Sequence, residues 1–423
     1  MRSSQSKDKL NVLISAYACS PDLGSEAGVG WGFVSELAKF HNIYVITQFE
    51  KFQPAIDTAI KKAPHLASIK FFGINRSRNM ILERIWPPSY YWSYRAWQKD
   101  AYKLALALSK DIKFDVIHQL NMVGFREPGY LWKIGIPFVW GPIGGMGYFP
   151  WRFLHLVGAY GALYYTGYNL FNALQMRFLR RPKLAAISAG RGLIAATPEN
   201  QAGAKRYWNR PSTLICEVGL PPAPLQRPMH RHAGEPMRLV WTGQHTPGKA
   251  LNLALTALAR VPEGSPWELH VLGKGPRTSI WKGMAQHFGL TERCNFHGWL
   301  PRDEALKIMA NCHVMLITSL RDLTSTVTIE ALAMGLPIIC LDHCGFSSVV
   351  DDTCGIKVPV STPEEAVDSL AAGIFQLIDN ESMRFDLAQG AVVRAKEFSW
   401  GEKTQTLSRI YRRVIDEHQK VSE

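Results

Sequence analysis

The sequence predicts an α/β protein built from two Rossmann-like, doubly wound domains that face each other across a cleft. At 423 residues the chain is too long for one hydrophobic core, which favours two domains of roughly 200 residues each. Short β-branched runs alternate with helical patterns in both halves of the chain. A proline-rich stretch at 219–236 separates the two series.

The first half opens with a βαβ pattern. "NVLISAY" (11–17) is a short apolar run, a glycine-rich loop follows it, and "WGFVSELAKF" has helical spacing before the next strand, "IYVITQ". Three later runs, "FDVIH" (114–118), "PFVWG" (137–141) and "LAAIS" (184–188), repeat the strand pattern. We therefore expect an open parallel sheet with helices on its faces.

The alternation stops at "GLPPAPLQRPMHRHAGEP" (219–236), whose prolines and few apolar residues are typical of an interdomain linker. It then restarts with the strands "RLVWTG", "LHVLG", "NFHGW", "HVMLIT" and "LPIICLD" and with helices from about Leu251, Ser279 and Asp303. The predicted units are a first domain at 1–220, a linker at 221–236, a second domain at 237–398 and a C-terminal helix at 399–423. The sequence leaves open whether that helix returns to the first domain.

Composition limits the class of protein further. The chain is 47% hydrophobic and 20% charged, which is typical of a globular protein and not of a disordered one. Its seven cysteines form no C-x-x-C pair, which argues against a disulfide framework or a zinc ribbon and indicates reduced thiols in a cytoplasm. The opening "MRSSQSKDKL" lacks the apolar core of a signal peptide, so we expect no export by that route.

The net charge of +13 is compatible with nucleic acid, an anionic membrane surface or phosphorylated small molecules as partners. The basic residues are scattered without an RNA-binding signature, so we expect no nucleic acid. Residues 153–176 carry no formal charge, and Arg177, Arg180, Arg181 and Lys183 follow at once. This order suits a helix at the interface of an anionic membrane. A buried pair of core helices is the alternative.

The loop before "EALAMGLPIIC" carries two acids. In a doubly wound sheet, ligands bind at the loops that follow the carboxyl ends of the strands, and Asp322 lies in such a loop. Thr324, Ser325 and Thr326 stand where a helix begins, and its free amides predict an anion site. Glu330, about two turns along, reaches the same cleft if its face points inward. A capping role for Asp322 and a solvated position for Glu330 are the alternative.

Two further loops are rich in glycine. In "GSEAGVGW" the glycines follow a strand and open a helix, where a missing side chain lets the backbone approach a phosphate or an acceptor. The spacing is not G-x-G-x-x-G, so a plain tight turn is the alternative. "WGPIGGMG" is a second permissive loop facing the cleft. The candidate residues of the two loops are Gly28, Gly30, Ser25, Glu26, Gly144 and Gly145.

"DLTSTVTIEALAMGLPIICLDHCGFSSVVDD" resembles the E-x7-E region of the GT4 family of glycosyltransferases, with Asp322 in place of the first glutamate and Glu330 as the second. "LVWTGQHTPGKALNLALTAL" is similar to the family's G-R-L-x-x-x-K-G segment, "LHVLGKGP" to its V-G-x-G-P turn, and "CNFHGWLPRDEALKIMANCHVMLITS" to its F-x-G segment. The N-terminal half resembles a bacterial polysaccharide-type subgroup through "YACSPDLGSEAGVGWGFVSELA", "GFREPGYLW" and "WGPIGGMG".

The resemblance implies the GT-B architecture and transfer of a sugar from a nucleotide donor with retention of configuration. Carried over by position, Glu330 binds the donor ribose, Asp322 the hydroxyls of the transferred sugar and Lys249 the diphosphate. A cation and a helix N-terminus would stabilise the leaving diphosphate. The implied donor-binding residues are Gly243, Gln244, Lys249, Arg321, Thr324, Ser325, Thr326 and Glu330.

The chain departs from the family pattern at two positions. Gln244 stands where the family usually has an arginine, and His245 or Arg321 is a candidate to supply the missing charge. Many members also place a histidine after an N-domain strand, which here is "PFVWGPIGG". The nearest substitute is His118 at the end of "FDVIH", for which a hydrogen-bonded core position is the alternative. The candidate catalytic residues are Asp322, Glu330, Lys249 and His118.

The leading hypothesis is a retaining glycosyltransferase that extends a glycan or a polyprenyl-linked oligosaccharide for bacterial exopolysaccharide or lipopolysaccharide. The co-substrate is a UDP- or GDP-linked sugar, with no cofactor. No D-x-D sequence occurs, so we expect no metal. The expected location is the cytoplasm, with a peripheral position on the inner face of the membrane left open. A non-catalytic nucleotide-sugar or glycan-binding protein on the same fold is the rival, and an epimerase would need an acid/base pair that we do not find.

Overall fold

A computed structural model describes residues 9–75, 85, 89–222 and 225–422. Most of the opening segment that lacks signal-peptide character, residues 1–8, lies outside the described residues. The described chain forms two lobes, each built on a twisted parallel sheet, and the strand pairs within both sheets are parallel. The prediction of two doubly wound domains is confirmed.

The N-terminal lobe has the strand order β3-β2-β1-β4-β5-β6-β7 within its described residues. Its elements, in chain order, are β1 (Asn11–Ala16), α1 (Ser25–Leu37), β2 (Asn42–Thr47), α2 (Phe49–Lys62), β3 (Lys70–Gly73), α3 (Tyr90–Asp111), β4 (Val116–Asn121), β5 (Phe138–Ile143), α4 (Gly158–Phe178), α5 (Arg180–Ala189), β6 (Leu193–Ala195), α6 (Pro198–Trp208) and β7 (Thr213–Leu214). The central strands are buried on both faces, which explains why they read as continuous apolar runs.

The C-terminal lobe has the strand order β10-β9-β8-β11-β12-β13. Its elements are β8 (Met237–Thr242), α7 (Leu251–Leu258), β9 (Trp267–Leu272), α8 (Thr278–His287), β10 (Cys294–Gly298), α9 (Arg302–Ala310), β11 (Val314–Ile317), α10 (Thr326–Ala333), β12 (Ile338–Leu341), α11 (Phe346–Val349), β13 (Gly355–Val358), α12 (Pro363–Asp379) and α13 (Glu381–Ala395). The last helix, α14 (Trp400–Ser422), completes the chain.

Helix α14 packs on the N-terminal lobe, although it follows the C-terminal lobe in sequence. Leu407, Ile410 and Tyr411 are buried in one cluster with β1 residues such as Val12 and Ile14. The chain therefore crosses between the lobes twice, which ties them together at one side of the cleft.

One predicted strand is wrong. "LAAIS" (184–188) lies in helix α5, and the strand at this point of the sheet is β6, a few residues later. The three alanines Ala185, Ala186 and Ala189 form the buried side of α5. Alanine is a strong helix former, so this short apolar run was compatible with a buried helical face.

Residues 153–176 lie in the 3-10 segment Trp151–Val157 and in helix α4. Large apolar side chains of α4 are exposed, so the alternative of a fully buried pair of core helices is wrong. Among the described residues, no helix combines the length and the apolarity needed to cross a bilayer.

Candidate active site

In each sheet the strand order reverses between two central strands, at a switch point. A cavity lies between the switch points of the two sheets. In the N-terminal lobe β1 and β4 are neighbours, and in the C-terminal lobe β8 and β11 are neighbours. The loops after such strand pairs diverge to opposite faces and leave a crevice at the carboxyl edge of the sheet. The cavity has a volume of about 390 Å³. Six predicted site residues line it: Glu26, Gly144, Gly145, Lys249, Arg321 and Asp322.

Lys249 and Asp322 form an ion pair in this cavity. Lys249 ends a short 3-10 turn after β8, and Asp322 lies in the loop after β11. The amide of Leu320 donates to the carbonyl of Gly248 at 2.8 Å, which fixes the two loops together. Both charged side chains keep about a fifth of their surface exposed, at 21% and 19%. A ligand entering the cavity would therefore meet both charges.

The start of α10 is only partly open as an anion site. Glu217, in the crossing segment between the lobes, accepts the amide of Thr324 at 2.9 Å and its hydroxyl at 3.0 Å. The prediction of a free amide at Thr324 is therefore wrong, because the protein's own carboxylate occupies it. Ser325 has φ of 66°, and the amides of Ser325 and Thr326 have no hydrogen-bond partner within the described part of the chain. These two amides remain available to an anion.

Glu330 lies on α10 and pairs with Arg302 of α9. Neither residue lines the cavity that holds Lys249 and Asp322. Arg302 and Thr326 instead line a neighbouring cavity of about 450 Å³, which reaches the loop before α1 and Ser25, the first residue of α1. The structure thus separates the two acids of the motif: Asp322 lines the inter-lobe cavity, and Glu330 lines neither cavity but pairs with Arg302 of the neighbouring one.

The glycines at the start of α1 are packed against protein. A Cβ on Gly30 would lie 2.2 Å from the carbonyl oxygen of Ala18, and one on Gly28 would lie 2.7 Å from that of Leu23. The prediction that Gly30 admits a ligand is wrong, because the absent side chain admits neighbouring backbone. Gly28 fits the tight-turn alternative, although it also borders the 450 Å³ cavity.

The glycine pair after β5 has a different role. A Cβ on Gly144 would lie 2.8 Å from the Leu323 side chain of the other lobe, and Gly145 has φ of 84°. A side chain at Gly144 would push the two lobes apart next to Asp322. This pair therefore lets the lobes approach closely along the wall of the cavity.

Of the two candidates for the missing charge, only Arg321 is suitable. Its guanidinium carbon lies 3.8 Å from the centre of the Tyr168 ring, and both residues line the cavity. His245 is buried against Trp241 and Trp281, and burial lowers its pKa to about 4. The proposal of His245 as a cationic contact is wrong because it is neutral near pH 7. Gln244 is exposed and, like Gly243, does not line this cavity.

The prediction of a catalytic role for His118 is wrong. Its side chain is fully buried, with its Nδ1 2.7 Å from the hydroxyl of Tyr411 and its Nε2 2.7 Å from the carbonyl oxygen of Gly141. It does not line the cavity. The Nδ1 contact joins α14 to the central sheet and the Nε2 contact joins β4 to β5, so His118 has the hydrogen-bonded core position that the sequence left as the alternative.

Sequence reasoning missed the residues that join the lobes at the cavity. Glu199, in the first turn of α6, accepts the amide of Cys344 at 3.0 Å and lies 2.7 Å from Nδ1 of His343. Glu199, Cys344, Tyr165 and Tyr168 also line the cavity. Glu199 follows a parallel strand, so the rule that ligands bind at such loops could have indicated it.

Glu26 is a second acid of the N-terminal lobe that lines the cavity. Its carboxylate accepts the amide of Val123, just after β4, at 3.0 Å. Burial raises the pKa of Glu26 to about 7, the Val123 amide opposes this, and the charge of Glu217 adds to it. The cavity therefore contains one carboxyl group that changes its protonation state near neutral pH.

The raised pKa predicts a pH-dependent effect of Glu26→Gln on stability. Because the folded-state pKa lies above the ordinary 4.5, the protonated carboxyl stabilises the fold below pH 4.5, and this contribution is lost as the pH rises to about 7. Glutamine carries no such cost, so the variant should gain about 3 kcal/mol relative to wild type across this window, since one pKa unit is about 1.4 kcal/mol.

Urea unfolding on both sides of the window measures this difference. Glu50→Gln, at an exposed position on α2, is the matched control. A difference between Glu26→Gln and wild type that does not change with pH would show that Glu26 is not desolvated in the folded protein.

Comparison with known proteins gives the context of this site. Residues 224–393 match the family described as Glycosyl transferases group 1. D-inositol 3-phosphate glycosyltransferase of Corynebacterium efficiens is 23% identical over 237 residues, which is 54% of this chain and 50% of that protein. The chain thus spans about half the length of the curated relatives it matches.

Solved structures resemble the whole chain. The lipopolysaccharide outer core galactosyltransferase WaaB is 13% identical, with a TM-score of 0.63 over 95% of this chain and 99% of that one. The Anabaena protein Alr3699/HepE, solved in complex with UDP, is 15% identical, with a TM-score of 0.57 over 95% of this chain and 98% of that one. At these identities the likeness shows the fold, which is GT-B. The match of residues 224–393 to glycosyl transferases group 1 covers less than half of the chain and contains the β8-to-β13 sheet with Lys249, Asp322 and Glu330.

Proposed function

We propose that the chain is a retaining glycosyltransferase that moves a sugar from a UDP- or GDP-linked donor to a glycan or a polyprenyl-linked oligosaccharide. Its proposed pathway is bacterial exopolysaccharide or lipopolysaccharide synthesis, and its proposed location is the cytoplasm. The observation that carries the proposal is the Lys249–Asp322 pair, which faces the N-terminal lobe across a cavity between two switch points. HepE was solved with UDP and with UDP-glucose, which supports a nucleotide sugar as the donor.

In this proposal, Lys249 and the amides of Ser325 and Thr326 bind the donor diphosphate. The diphosphate competes with Asp322 for Lys249, which frees the carboxylate to accept hydroxyl groups of the sugar being transferred. As the glycosidic bond breaks, negative charge grows on the leaving diphosphate, and a fixed cation with helix amides stabilises it. Arg321, at the same cavity, contributes a second positive charge.

Glu330 is proposed to bind the donor ribose from the neighbouring cavity. Its carboxylate has a partner in Arg302, whose own side chain is mostly exposed. Because the Arg302 side chain can return to solvent, the ribose hydroxyls can replace or share this partner. The donor would then span both cavities, with the diphosphate between them at the start of α10.

A non-catalytic nucleotide-sugar or glycan-binding protein is the second candidate. It is favoured by Gln244, which does not supply the arginine usual at that position, and by Glu217, which already occupies the Thr324 amide. Both features weaken binding of the departing diphosphate and leave the cavity itself intact.

The test combines donor binding with turnover. Thermal unfolding with a panel of UDP- and GDP-linked sugars should show stabilisation by a preferred donor, because a ligand of the folded state raises its apparent stability. Release of nucleoside diphosphate should then require an oligosaccharide acceptor and, in the absence of a D-x-D sequence, should persist with excess chelator. Stabilisation without release over an acceptor panel supports the binding protein. No stabilisation by any donor contradicts both the transferase and a nucleotide-sugar-binding protein.

A further inference from the structure

Helix α4 has its polar side chains inside and its apolar side chains outside. Asn169 exchanges two hydrogen bonds with the backbone of Phe149, at 2.8 and 2.9 Å, and Asn172 donates to the carbonyl of Gly147 at 3.0 Å. Both asparagines are fully buried. A surface helix of a soluble protein has the opposite arrangement. The polarity of α4 thus indicates that its outer side has a partner other than water.

The apolar face of α4 consists of Tyr160, Leu163, Leu170, Phe171, Leu174 and Phe178. At about 100° per residue these side chains fall within roughly a third of the helix circumference. Tyr160 is 85% exposed, Leu163 is 75% exposed and Phe178 is 67% exposed. A contiguous row of this kind, unlike single exposed apolar residues, marks an interaction surface.

The charge around this face is positive. Between Glu127 and Glu199 the sequence contains no aspartate or glutamate. Arg177, Arg180 and Lys183 follow the apolar face and are exposed. This stretch of the chain therefore has no acidic side chain to attract a basic partner, and its exposed arginines and lysine would repel one.

Next to the apolar face lies a groove of about 500 Å³ that is lined by both apolar and positively charged side chains. Leu170 and Leu174 form an apolar wall, and Arg177 and Arg206 bring guanidinium groups to it. Aliphatic carbon beside two guanidinium groups is complementary to an acyl chain that ends in an anionic phosphate.

We propose that the apolar face of α4, together with Arg177, Arg180 and Lys183, docks on the surface of an anionic lipid bilayer. The aromatic and aliphatic side chains enter the boundary between headgroups and acyl chains, and the basic residues contact lipid phosphates. The docking does not rest on the proposed transfer reaction. Tyr165 and Tyr168, on the inner side of the same helix, line the cavity, so docking would hold the cavity about one helix diameter, roughly 10 Å, from the lipid.

Sedimentation with vesicles tests the proposal on the full chain. Vesicles of equal parts phosphatidylcholine and phosphatidylglycerol should bind the protein, and vesicles of phosphatidylcholine alone should bind it at least tenfold more weakly. Added salt should weaken binding to the anionic vesicles, because screening shortens the reach of surface charge. Equal binding to both vesicle types, insensitive to salt, would overturn the proposal.

Two sets of variants locate the binding surface. Arg177→Gln with Lys183→Gln should lower partitioning more than tenfold, since each basic residue near an anionic surface contributes about fivefold. Leu163→Gln with Phe171→Gln should lower it to a similar extent. The matched controls, Lys61→Gln with Lys62→Gln on α2 and Ile280→Gln on α8, change exposed residues of the same types and should leave it unchanged.

All of these variants should keep the wild-type unfolding midpoint, because the substituted side chains are exposed. If both sets bind vesicles like wild type, the docking surface lies elsewhere and the proposal is wrong. If the apolar variants instead convert a dimer into a monomer in analytical ultracentrifugation, the face is covered by a second copy of the chain, which also overturns it.

Discussion

Lys249→Met is expected to lower kcat/KM by about 10² to 10³-fold, the loss typical of removing one group that stabilises developing negative charge. Lys249 faces Asp322 in the resting structure and would face the diphosphate in the donor complex. The diphosphate charge is present in the bound donor and grows as the bond breaks, so the variant should raise the donor KM and lower kcat together.

Steady-state kinetics over a range of donor concentrations measures this effect. Lys307→Met, at an exposed position on α9, is the matched control and should behave like wild type. Lys249→Arg should recover part of the activity, because it keeps the charge with a different shape. Since Lys249→Met also leaves Asp322 without its partner, thermal unfolding of Lys249→Met beside wild type distinguishes lost catalysis from a disturbed fold. Activity near wild type in Lys249→Met would show that the diphosphate does not bind here.

The sequence was informative where one local pattern determined the outcome. Continuous apolar runs gave most strands correctly, because parallel strands are buried on both faces. Lys249 follows β8 and Asp322 follows β11. The two residues are close because these strands are neighbours in the sheet. That adjacency is a property of the sheet order, which the sequence does not contain, and the family resemblance supplied it.

The failures have a common physical origin in contacts between distant parts of the chain. His118 is bonded to Tyr411, which lies on the last helix, and the Thr324 amide is bonded to Glu217 from the segment that crosses between the lobes. Gly30 was predicted to be open because it follows a strand and opens a helix, yet the Ala18 carbonyl fills that space. The local sequence around a residue does not indicate which distant group will bond to it or pack against it.

The two acids of the motif are expected to have different kinetic effects, because Asp322 lines the inter-lobe cavity and Glu330 does not. Asp322→Asn should lower kcat about ten- to hundredfold, which corresponds to loss of a charge-assisted hydrogen bond of about 1.5 to 3 kcal/mol that strengthens as the glycosyl cation forms. Its donor KM should stay the same or fall, since Lys249 no longer has a competing carboxylate beside the diphosphate. A higher KM with unchanged kcat would contradict the role proposed for Asp322.

Glu330→Gln is the matched comparison, since it makes the same chemical change at the other acid. A ribose contact is present equally in the ground state and the transition state, so this variant should raise the donor KM about tenfold and leave kcat near wild type. Arg302 would lose its partner in this variant, but it is exposed, so stability should change by less than about 1 kcal/mol. If the two kinetic effects are interchanged, the roles of Asp322 and Glu330 must be exchanged. If both variants behave like wild type, these acids do not bind the donor, and the proposed binding mode fails although the fold and the family match of residues 224–393 stand.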